Sequence, residues 1–335
     1  MHALADIAHY VNVSHSHLGE LLAMSMVAVK ARKCLLVIAP SGCGKTRVSD
    51  FMAASHPDSY SPDRLTIAGL KPYQELLSNY HGLVVVDDIA SGYSQYTRLA
   101  TISALTKLCS EHGIDSATAT SHYRIENFYG SAIINCQPVL FRALVSSPEW
   151  EAQIQDKTIR YYHLYRPIKP RREFTPLVLD WGISIDEVEE PNPKALLYGA
   201  LKDIVGAQWS ITRVRDNLDD LLKATAALDG SKVVRQQDYK MLLKLVTPMK
   251  LERFCMIKED FEYKRSLLVG LLYMLIEFVT YDRLTIRQFM DNYKINLRTA
   301  YRLLDKYKEY WIVVDKNPTT YAPSDELKRI IREVV

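Results

Sequence analysis

Short apolar runs alternate with amphipathic helical segments between residues 34 and 164. The runs have the length of buried strands, and the segments between them repeat their apolar residues with a helical period. The apolar runs cover residues 34–39, 64–68, 82–87, 131–136 and 158–164. Continuous apolar strands separated by helices are typical of a parallel sheet that is covered on both faces. This pattern predicts an α/β fold.

The flanking regions carry different patterns. Residues 1–33 read as amphipathic helix, with four histidines that we expect to be exposed or to cap helices. Proline-rich connectors at 166–174 and 187–193 precede a purely helical region. The longest apolar run, 266–279, contains Glu277 and is too short to span a bilayer, so we expect a buried helix. The predicted domains are an N-terminal helical segment (1–33), an α/β core (34–175), a helical module (176–261) and a C-terminal module (262–335).

Composition is that of an ordinary globular protein. The chain has 335 residues, of which 48% are hydrophobic and 24% charged, and this length suggests two or three domains. Five cysteines without short spacings exclude a disulfide framework and a zinc pattern. We expect buried thiols at Cys34, Cys109, Cys136 and Cys255. No secretory signal is recognisable, so a cytoplasmic protein without membrane association is expected.

The first apolar run leads directly into a glycine-rich loop and then a helical segment. The loop reads Ala-Pro-Ser-Gly-Cys-Gly-Lys-Thr and fits the phosphate-binding pattern A/G-x-x-x-x-G-K-S/T. Gly42 and Gly44 allow consecutive backbone N–H groups to surround phosphate oxygens at a helix start. We expect Lys45 to reach the β- and γ-phosphates and the Thr46 hydroxyl to bind Mg²⁺. The predicted ATP-binding residues are Pro40, Ser41, Gly42, Cys43, Gly44, Lys45, Thr46 and Arg47.

Two acidic residues follow the apolar run at 83–86. Because strand ends meet at one edge of a parallel sheet, Asp87 and Asp88 are expected beside the nucleotide. Asp87 is predicted to hold Mg²⁺ with Thr46. Asp88 is predicted to orient or deprotonate the attacking water.

The phosphate-binding loop and the acidic pair together resemble the AAA+ ATPases. That family usually has Asp-Glu where this chain has Asp87-Asp88, a difference that leaves metal binding intact and makes slow hydrolysis an open alternative. The resemblance implies a polar sensor at Asn135, which ends the next core strand. It also implies a helical lid, in which Arg213 contacts the γ-phosphate from the first turn of a helix.

The resemblance further implies a cation that acts on ATP bound by the neighbouring subunit. The candidates for this role are Lys157, Arg160 and Arg142. Two segments could face the pore of an oligomeric ring, although both could equally be surface loops. One contains Lys71 and Tyr73, and the other, residues 115–130, is expected to form a hairpin carrying Arg124.

Residues 262–335 are predicted to form helix, helix, turn, helix and two short strands, which resembles a winged helix–turn–helix. The third helix places Arg298, Arg302 and Lys306 on its outer face, and Lys316 lies between the strands. From position 283 to 308 there are seven basic residues and two acidic ones, a local net charge of +5, whereas the whole chain has +3. DNA is the predicted partner, and docking of a protein partner stays open.

These features predict an oligomeric AAA+ ATPase, assembled as a ring or helical oligomer, that uses ATP and Mg²⁺ to translocate on DNA or to remodel it. The combination of core, lid and winged helix resembles origin-recognition initiators and branch-migration motors. Two alternatives remain: a protein-remodelling chaperone, and a slow-hydrolysing ATP switch that assembles on DNA and recruits partners. A DNA partner would make the cytoplasmic protein nucleoid-associated.

Overall fold

The computed structural model describes residues 2–62, 68–87, 94–117, 122–145, 147, 150, 154–166, 178–252, 261–293 and 295–335, with the backbone alone at 68, 95–96, 142–143 and 261–270. The strands are β1 (Cys34–Ile38), β2 (Ser59–Tyr60), β3 (Leu83–Val86), β4 (Ile114–Ala117), β5 (His122–Ile125), β6 (Ser131–Cys136), β7 (Thr158–Tyr162), β8 (Leu284–Thr285), β9 (Trp311–Lys316) and β10 (Thr319–Pro323). The α-helices are α1 (Ala3–Ser14), α2 (Leu18–Lys30), α3 (Lys45–Ser55), α4 (Gln74–Leu77), α5 (Gln95–Glu111), α6 (Pro138–Val145), α7 (Leu196–Val205), α8 (Ile211–Leu228), α9 (Gln236–Val246), α10 (Phe261–Thr280), α11 (Ile286–Tyr293), α12 (Leu297–Lys306) and α13 (Asp325–Val334).

A five-stranded parallel sheet lies at the centre of the fold, in the order β2-β3-β6-β1-β7. Every residue of β1, β3, β6 and β7 is buried, as expected for strands covered on both faces. The predicted α/β fold is confirmed. Of the predicted strand at 64–68, all but the last residue lies outside the described residues, and β2 is formed by Ser59–Tyr60 instead.

Helices of the N-terminal segment and of the helical module cover one face of the sheet. Leu35 and Val37 of β1 point into a core that also contains residues of α1, α2, α3, α7, α8 and α9. Helix α2 is buried over almost its whole length. The segment 1–33 and the helical module 176–261 therefore share one core with the sheet.

The other face packs against α5, α6, α10 and the C-terminal module. Leu36 and Ile38 point into this second core, which extends to Phe289, Leu304 and residues of α13. The C-terminal module has the order helix, strand, helix, helix, hairpin, helix, and its strands form an antiparallel sheet in the order β8-β10-β9. Each large module is thus anchored to one face of the central sheet.

Three further predictions can be compared with the described residues. Strands β4 and β5 form a hairpin in the predicted segment 115–130, and β4 begins one residue before that segment, at Ile114. Cys34, Cys109 and Cys136 are free and buried, whereas Cys255 lies outside the described residues. None of the described helices is long and apolar enough to cross a membrane.

Candidate nucleotide-binding site

The glycine-rich loop connects the carboxyl end of β1 to the start of α3. Gly42 and Gly44 have φ values of 78° and 82°, which favour glycine. A Cβ on Gly44 would come within 2.8 Å of the Leu18 side chain, so a larger residue would also collide with α2. Lys45 is 8% exposed, and its Nζ donates to the carbonyl oxygens of Ala39 at 2.6 Å and Pro40 at 2.9 Å. The loop therefore curls around its own lysine.

Three residues predicted for metal and phosphate binding lie together beside this loop. The Thr46 hydroxyl donates to Asp87 Oδ1 at 3.1 Å. Asn135 Nδ2 donates to the same oxygen at 2.7 Å and to Ser49 Oγ at 2.9 Å. Asp87 and Asn135 follow or end neighbouring parallel strands, which explains why residues 48 positions apart meet. Asp88 lies outside the described residues.

Asp50 is a further acidic residue at this edge. It lies one helical turn after Thr46 in α3, and its pKa is raised by partial burial and by the charge of Asp87. Two carboxylates and a hydroxyl provide the oxygen ligands that Mg²⁺ prefers. Sequence reasoning missed Asp50, although its i, i+4 spacing from Thr46 is a usable signal.

The segment after β7 contacts the outer side of the glycine-rich loop. His163 is 1% exposed, and its ring lies beside the Cys43 backbone. Burial, assisted by the nearby charge of Lys45, lowers the pKa of His163 to about 3, so the ring stays neutral. Arg166 Nη1 donates to the Ser41 carbonyl oxygen at 3.3 Å. Sequence reasoning missed both residues, because nothing in an irregular connector indicates which neighbour it covers.

The remaining predicted loop residues are held in different ways. Pro40 and Cys43 are buried, and burial raises the pKa of the Cys43 thiol to about 11. Arg47 is exposed, with Nη1 2.7 Å from Nε2 of His15. His15 itself is buried, and its pKa is lowered by burial and by Arg47. Both histidines cap α1, His2 at its N-terminus and His15 at its C-terminus, which agrees with the capping role expected for histidines of the segment 1–33.

The structure places Lys157 and Arg213 at the amino edge of the sheet, opposite the glycine-rich loop. Both line a polar cavity of about 190 Å³, together with Lys33 at the start of β1. The start of α8 is tied there because Ser210 N donates to Asp156 at 2.6 Å. A five-residue strand spans about 16 Å. Within one chain, Arg213 is therefore not brought to the loop that the resemblance implies it should reach.

Arg160 is fully buried inside β7. Its Nε and Nη2 donate to the Glu252 carboxylate at 2.6 and 2.9 Å, and the same carboxylate accepts from the Tyr162 hydroxyl at 2.9 Å. Burial opposes the charge, but Glu252 more than compensates and the pKa of Arg160 is raised. These contacts make Arg160 a structural ion pair that faces no solvent. Arg142 lies in α6, but its side chain is outside the described part of the chain.

The residues predicted to contact DNA are distributed over three surfaces. Lys71 is exposed in the 3-10 helix Ala68–Tyr73, whereas Tyr73 is half-buried against Tyr60, with ring centroids 5.3 Å apart. Arg124 is exposed on β5 and pairs with Glu126 at 2.7 Å. The four residues of the C-terminal module that were predicted to contact DNA are all exposed: Arg298, Arg302, Lys306 and Lys316.

One group of described residues has the composition of a metal site away from the loop. His2, Asp229 and Asp238 place their ligand atoms within 4.8 Å of one another. Arg235 donates to both carboxylates, and His2 Nε2 lies 3.2 Å from Asp238 Oδ1. The arginine binds both carboxylates and compensates one of their two negative charges, so this group fits an ion-pair cluster that anchors the start of α1 to the helical module.

Comparison with known proteins adds no family to this geometry. No family model matches the chain, and no curated protein matches its sequence.

Proposed function

We propose that the protein is an AAA+ ATPase that binds ATP and Mg²⁺ at the glycine-rich loop and acts on DNA. The observation that carries the proposal is the network in which Thr46 and Asn135 both donate to Asp87 Oδ1 beside that loop. A phosphate-binding loop by itself is a short sequence pattern and does not include the other groups of a nucleotide site. A hydroxyl, a carboxylate and an amide from three separate elements at its mouth are the parts that nucleotide hydrolysis requires.

The residues of the glycine-rich loop fit a bound Mg·ATP. The positive-φ glycines turn backbone N–H groups inward, and Lys45 is held by carbonyl oxygens that a phosphate can replace. Thr46 and Asp87 would hold Mg²⁺, with Asp50 near enough to support the water shell. When bound, ATP would supply the phosphoryl group, and Mg²⁺ would supply the positive charge that neutralises the phosphate oxygens. Asn135 would orient the γ-phosphate or the attacking water, and Asp88 would deprotonate that water.

The position of two cations supports oligomerisation as part of this proposal. Lys157 and Arg213 are separated from their own loop by the length of the central strands, so they would serve the ATP of a neighbouring subunit. We expect Lys157→Ala to spare ATP binding and to lower turnover only in the assembled oligomer. Steady-state hydrolysis measured above and below the assembly concentration checks this. A monomeric preparation that matches the oligomer in rate would contradict it.

DNA binding is supported by the C-terminal module. Its element order is that of a winged helix–turn–helix, and α12 exposes Arg298, Arg302 and Lys306 on one face. Ala300 and Leu304 are buried on the opposite face of α12. The basic face is therefore not needed for packing and is available to phosphates.

The decisive experiment measures ATP turnover without DNA, with single-stranded DNA and with double-stranded DNA, together with particle mass in the presence of ATP. Stimulation by DNA and growth in mass with ATP support the proposal. Stimulation by unfolded polypeptide instead would favour the chaperone. Tight ATP binding with assembly on DNA but slow, unstimulated turnover would favour the switch.

A matched pair of variants tests the DNA-binding face. Arg298→Ala with Arg302→Ala removes two phosphate contacts, so DNA affinity should fall and the slope of log K against log salt should decrease by about 2. The control, Arg329→Ala with Arg332→Ala, removes two exposed arginines from α13 in the same module. If the α12 double variant keeps the full salt slope, α12 does not contact the DNA backbone.

A further inference from the structure

A second cavity lies at the amino edge of the central sheet, next to the polar cavity that Lys157 and Arg213 line. Its volume is about 270 Å³, close to the smallest of the pockets that hold small molecules, which are about 300–1,000 Å³. Its wall comes from the end of α2, the segments before β2, β3 and β6, and the segment from 181 to 185. Strand β1, which spans about 16 Å, separates this edge from the glycine-rich loop. The cavity is therefore not part of the proposed nucleotide site.

Two pairs of aromatic rings line this second cavity. The rings of His56 and Trp181 meet edge to face, with centroids 5.2 Å apart. The rings of His81 and Tyr129 are stacked, also with centroids 5.2 Å apart. Burial lowers the pKa of His56, so its ring is neutral near pH 7 and adds no charge. Rings from four separate segments thus provide flat apolar surface against which a planar ligand can pack.

The charged groups that line the second cavity are cationic. Lys30 and Arg32 contribute an ammonium and a guanidinium, and none of the described carboxylates is part of the wall. Arg32 is already paired, because Nη1 and Nη2 donate to the two oxygens of Asp186 at 3.3 and 2.6 Å. Arg32 therefore adds little net charge, and the charge of the cavity depends on Lys30.

Lys30 forms no such ion pair with the described carboxylates. Its Nζ donates to the Trp181 carbonyl oxygen at 2.7 Å, which uses one of the three N–H groups of the ammonium. Partial burial lowers the pKa of Lys30, and Arg32 lowers it further, whereas more distant carboxylates offset this only in part. An anion within hydrogen-bond distance would stabilise this half-buried ammonium and use its remaining donors.

We propose that the second cavity binds a planar heteroaromatic ring that carries one anionic group, as a nucleotide does. The ring packs against the aromatic pairs, and the anionic group accepts hydrogen bonds from the Lys30 ammonium. An uncharged aromatic ligand would cover Lys30 without supplying an acceptor, and a small anion without a ring would leave the apolar walls in water. The proposed site is additional to the glycine-rich loop and does not depend on ATP hydrolysis there.

The monophosphate of 2-aminopurine riboside is a suitable probe, because its fluorescence is quenched when the base stacks on aromatic rings. Titration without Mg²⁺ should show saturable quenching with wild type and with Lys45→Ala, at similar affinities. Absence of saturable quenching with wild type overturns the proposal. Loss of binding in Lys45→Ala also overturns it, because the probe would then occupy the glycine-rich loop.

The aromatic wall is tested at two positions. Trp181→Ala should bind the probe about tenfold more weakly, whereas Trp181→Phe, which keeps a ring, should recover most of the affinity. His81 is exposed, so His81→Ala should leave folding intact and weaken binding about threefold. His122→Ala, which removes an exposed histidine from β5 outside the cavity, is the matched control. Circular dichroism and urea unfolding establish that each variant is folded. Wild-type affinity in both Trp181→Ala and His81→Ala overturns the proposal.

The anionic contact is tested at Lys30 with two probes that differ only in the phosphate. Lys30→Ala should bind the monophosphate about tenfold more weakly than wild type does. The uncharged nucleoside of 2-aminopurine should bind wild type and Lys30→Ala equally, because it has no anionic group. If Lys30→Ala loses as much affinity for the nucleoside as for the monophosphate, the anionic contact is overturned.

Competition in the Lys45→Ala variant distinguishes two sources of the same ligand chemistry. If the ligand is a free nucleotide, deoxyadenosine monophosphate should displace the probe, and single-stranded oligodeoxyadenylate at the same nucleotide concentration should not. If the ligand is a nucleotide within a DNA strand, the oligonucleotide should be the stronger competitor. Failure of both to displace the probe overturns the proposal. Because this variant lacks the loop lysine, the result does not depend on whether the glycine-rich loop binds ATP.

Discussion

The two edges of the central sheet carry polar residues of different kinds. At the carboxyl edge, Thr46 and Asn135 converge on one oxygen of Asp87 beside the glycine-rich loop. At the amino edge, Lys157 and Arg213 line an open polar cavity whose cations are largely matched by nearby carboxylates. The comparison teaches that strand ends converge by topology, whereas a helix-borne cation depends on where its helix docks.

The largest effect should come from the loop lysine. Lys45→Ala removes the buried ammonium and should abolish detectable ATP binding, because no other described cation occupies the interior of the loop. Arg213→Ala, at the opposite edge, should bind a fluorescent ATP analogue as wild type does in a monomeric preparation. Equal loss of binding in both variants would show that the two edges are not functionally separate.

The buried ion pair of β7 should dominate stability. Arg160→Met leaves the Glu252 carboxylate buried without its partner, which should lower the free energy of unfolding by about 3–5 kcal/mol. Urea denaturation followed by circular dichroism measures this. Arg215→Met is the control, because Arg215 is 71% exposed and its pair with Asp219 should contribute less than about 1 kcal/mol. Similar midpoints for the two variants would contradict a structural role for Arg160.

A smaller effect is expected at the carboxyl edge, where His163 should make the free energy of unfolding depend on pH. The native pKa of His163 is about 3, below its ordinary value of 6.5, so only the unfolded chain gains this proton between those values. The free energy of unfolding therefore falls as pH drops through that window, by about 1.4 kcal/mol per pH unit from this residue. His163→Gln should flatten the slope measured by urea titrations at pH 4–6. His9→Gln, which replaces a histidine at an exposed position, is the control variant.

The sequence predicts the residues whose positions follow from strand ends. Asp87 directly follows β3, Asn135 lies at the end of β6, and Thr46 lies in the first turn of α3 after the loop that follows β1, so the topology of neighbouring parallel strands brings the three together. Arg213 lies in the first turn of α8, and its position depends on the docking of that helix against β7. Arg166 and His163 lie in a connector whose path is set by long-range packing, which no local pattern records.

The C-terminal module shows the same limit at a finer scale. The sequence predicts the third helix over 297–310, and the structure ends α12 at Lys306 and continues with the 3-10 helix Lys308–Tyr310. The Trp311 indole Nε1 donates to the Leu304 carbonyl at 2.8 Å, so a side chain beyond the helix satisfies one of its last carbonyl groups. The spacing of apolar residues predicts that a helix is present. It does not predict the residue at which the helix ends.

The burial of α2 has a consequence for synthesis of the chain. Its apolar surface packs against α8, which follows roughly 180 residues later. At translation rates of about 5–20 residues per second, α2 leaves the ribosome on the order of 10–40 seconds before this partner exists. During that interval the part of its apolar surface that α8 covers faces water or a chaperone. The nascent chain should therefore depend on a holding chaperone until its helical module has been translated.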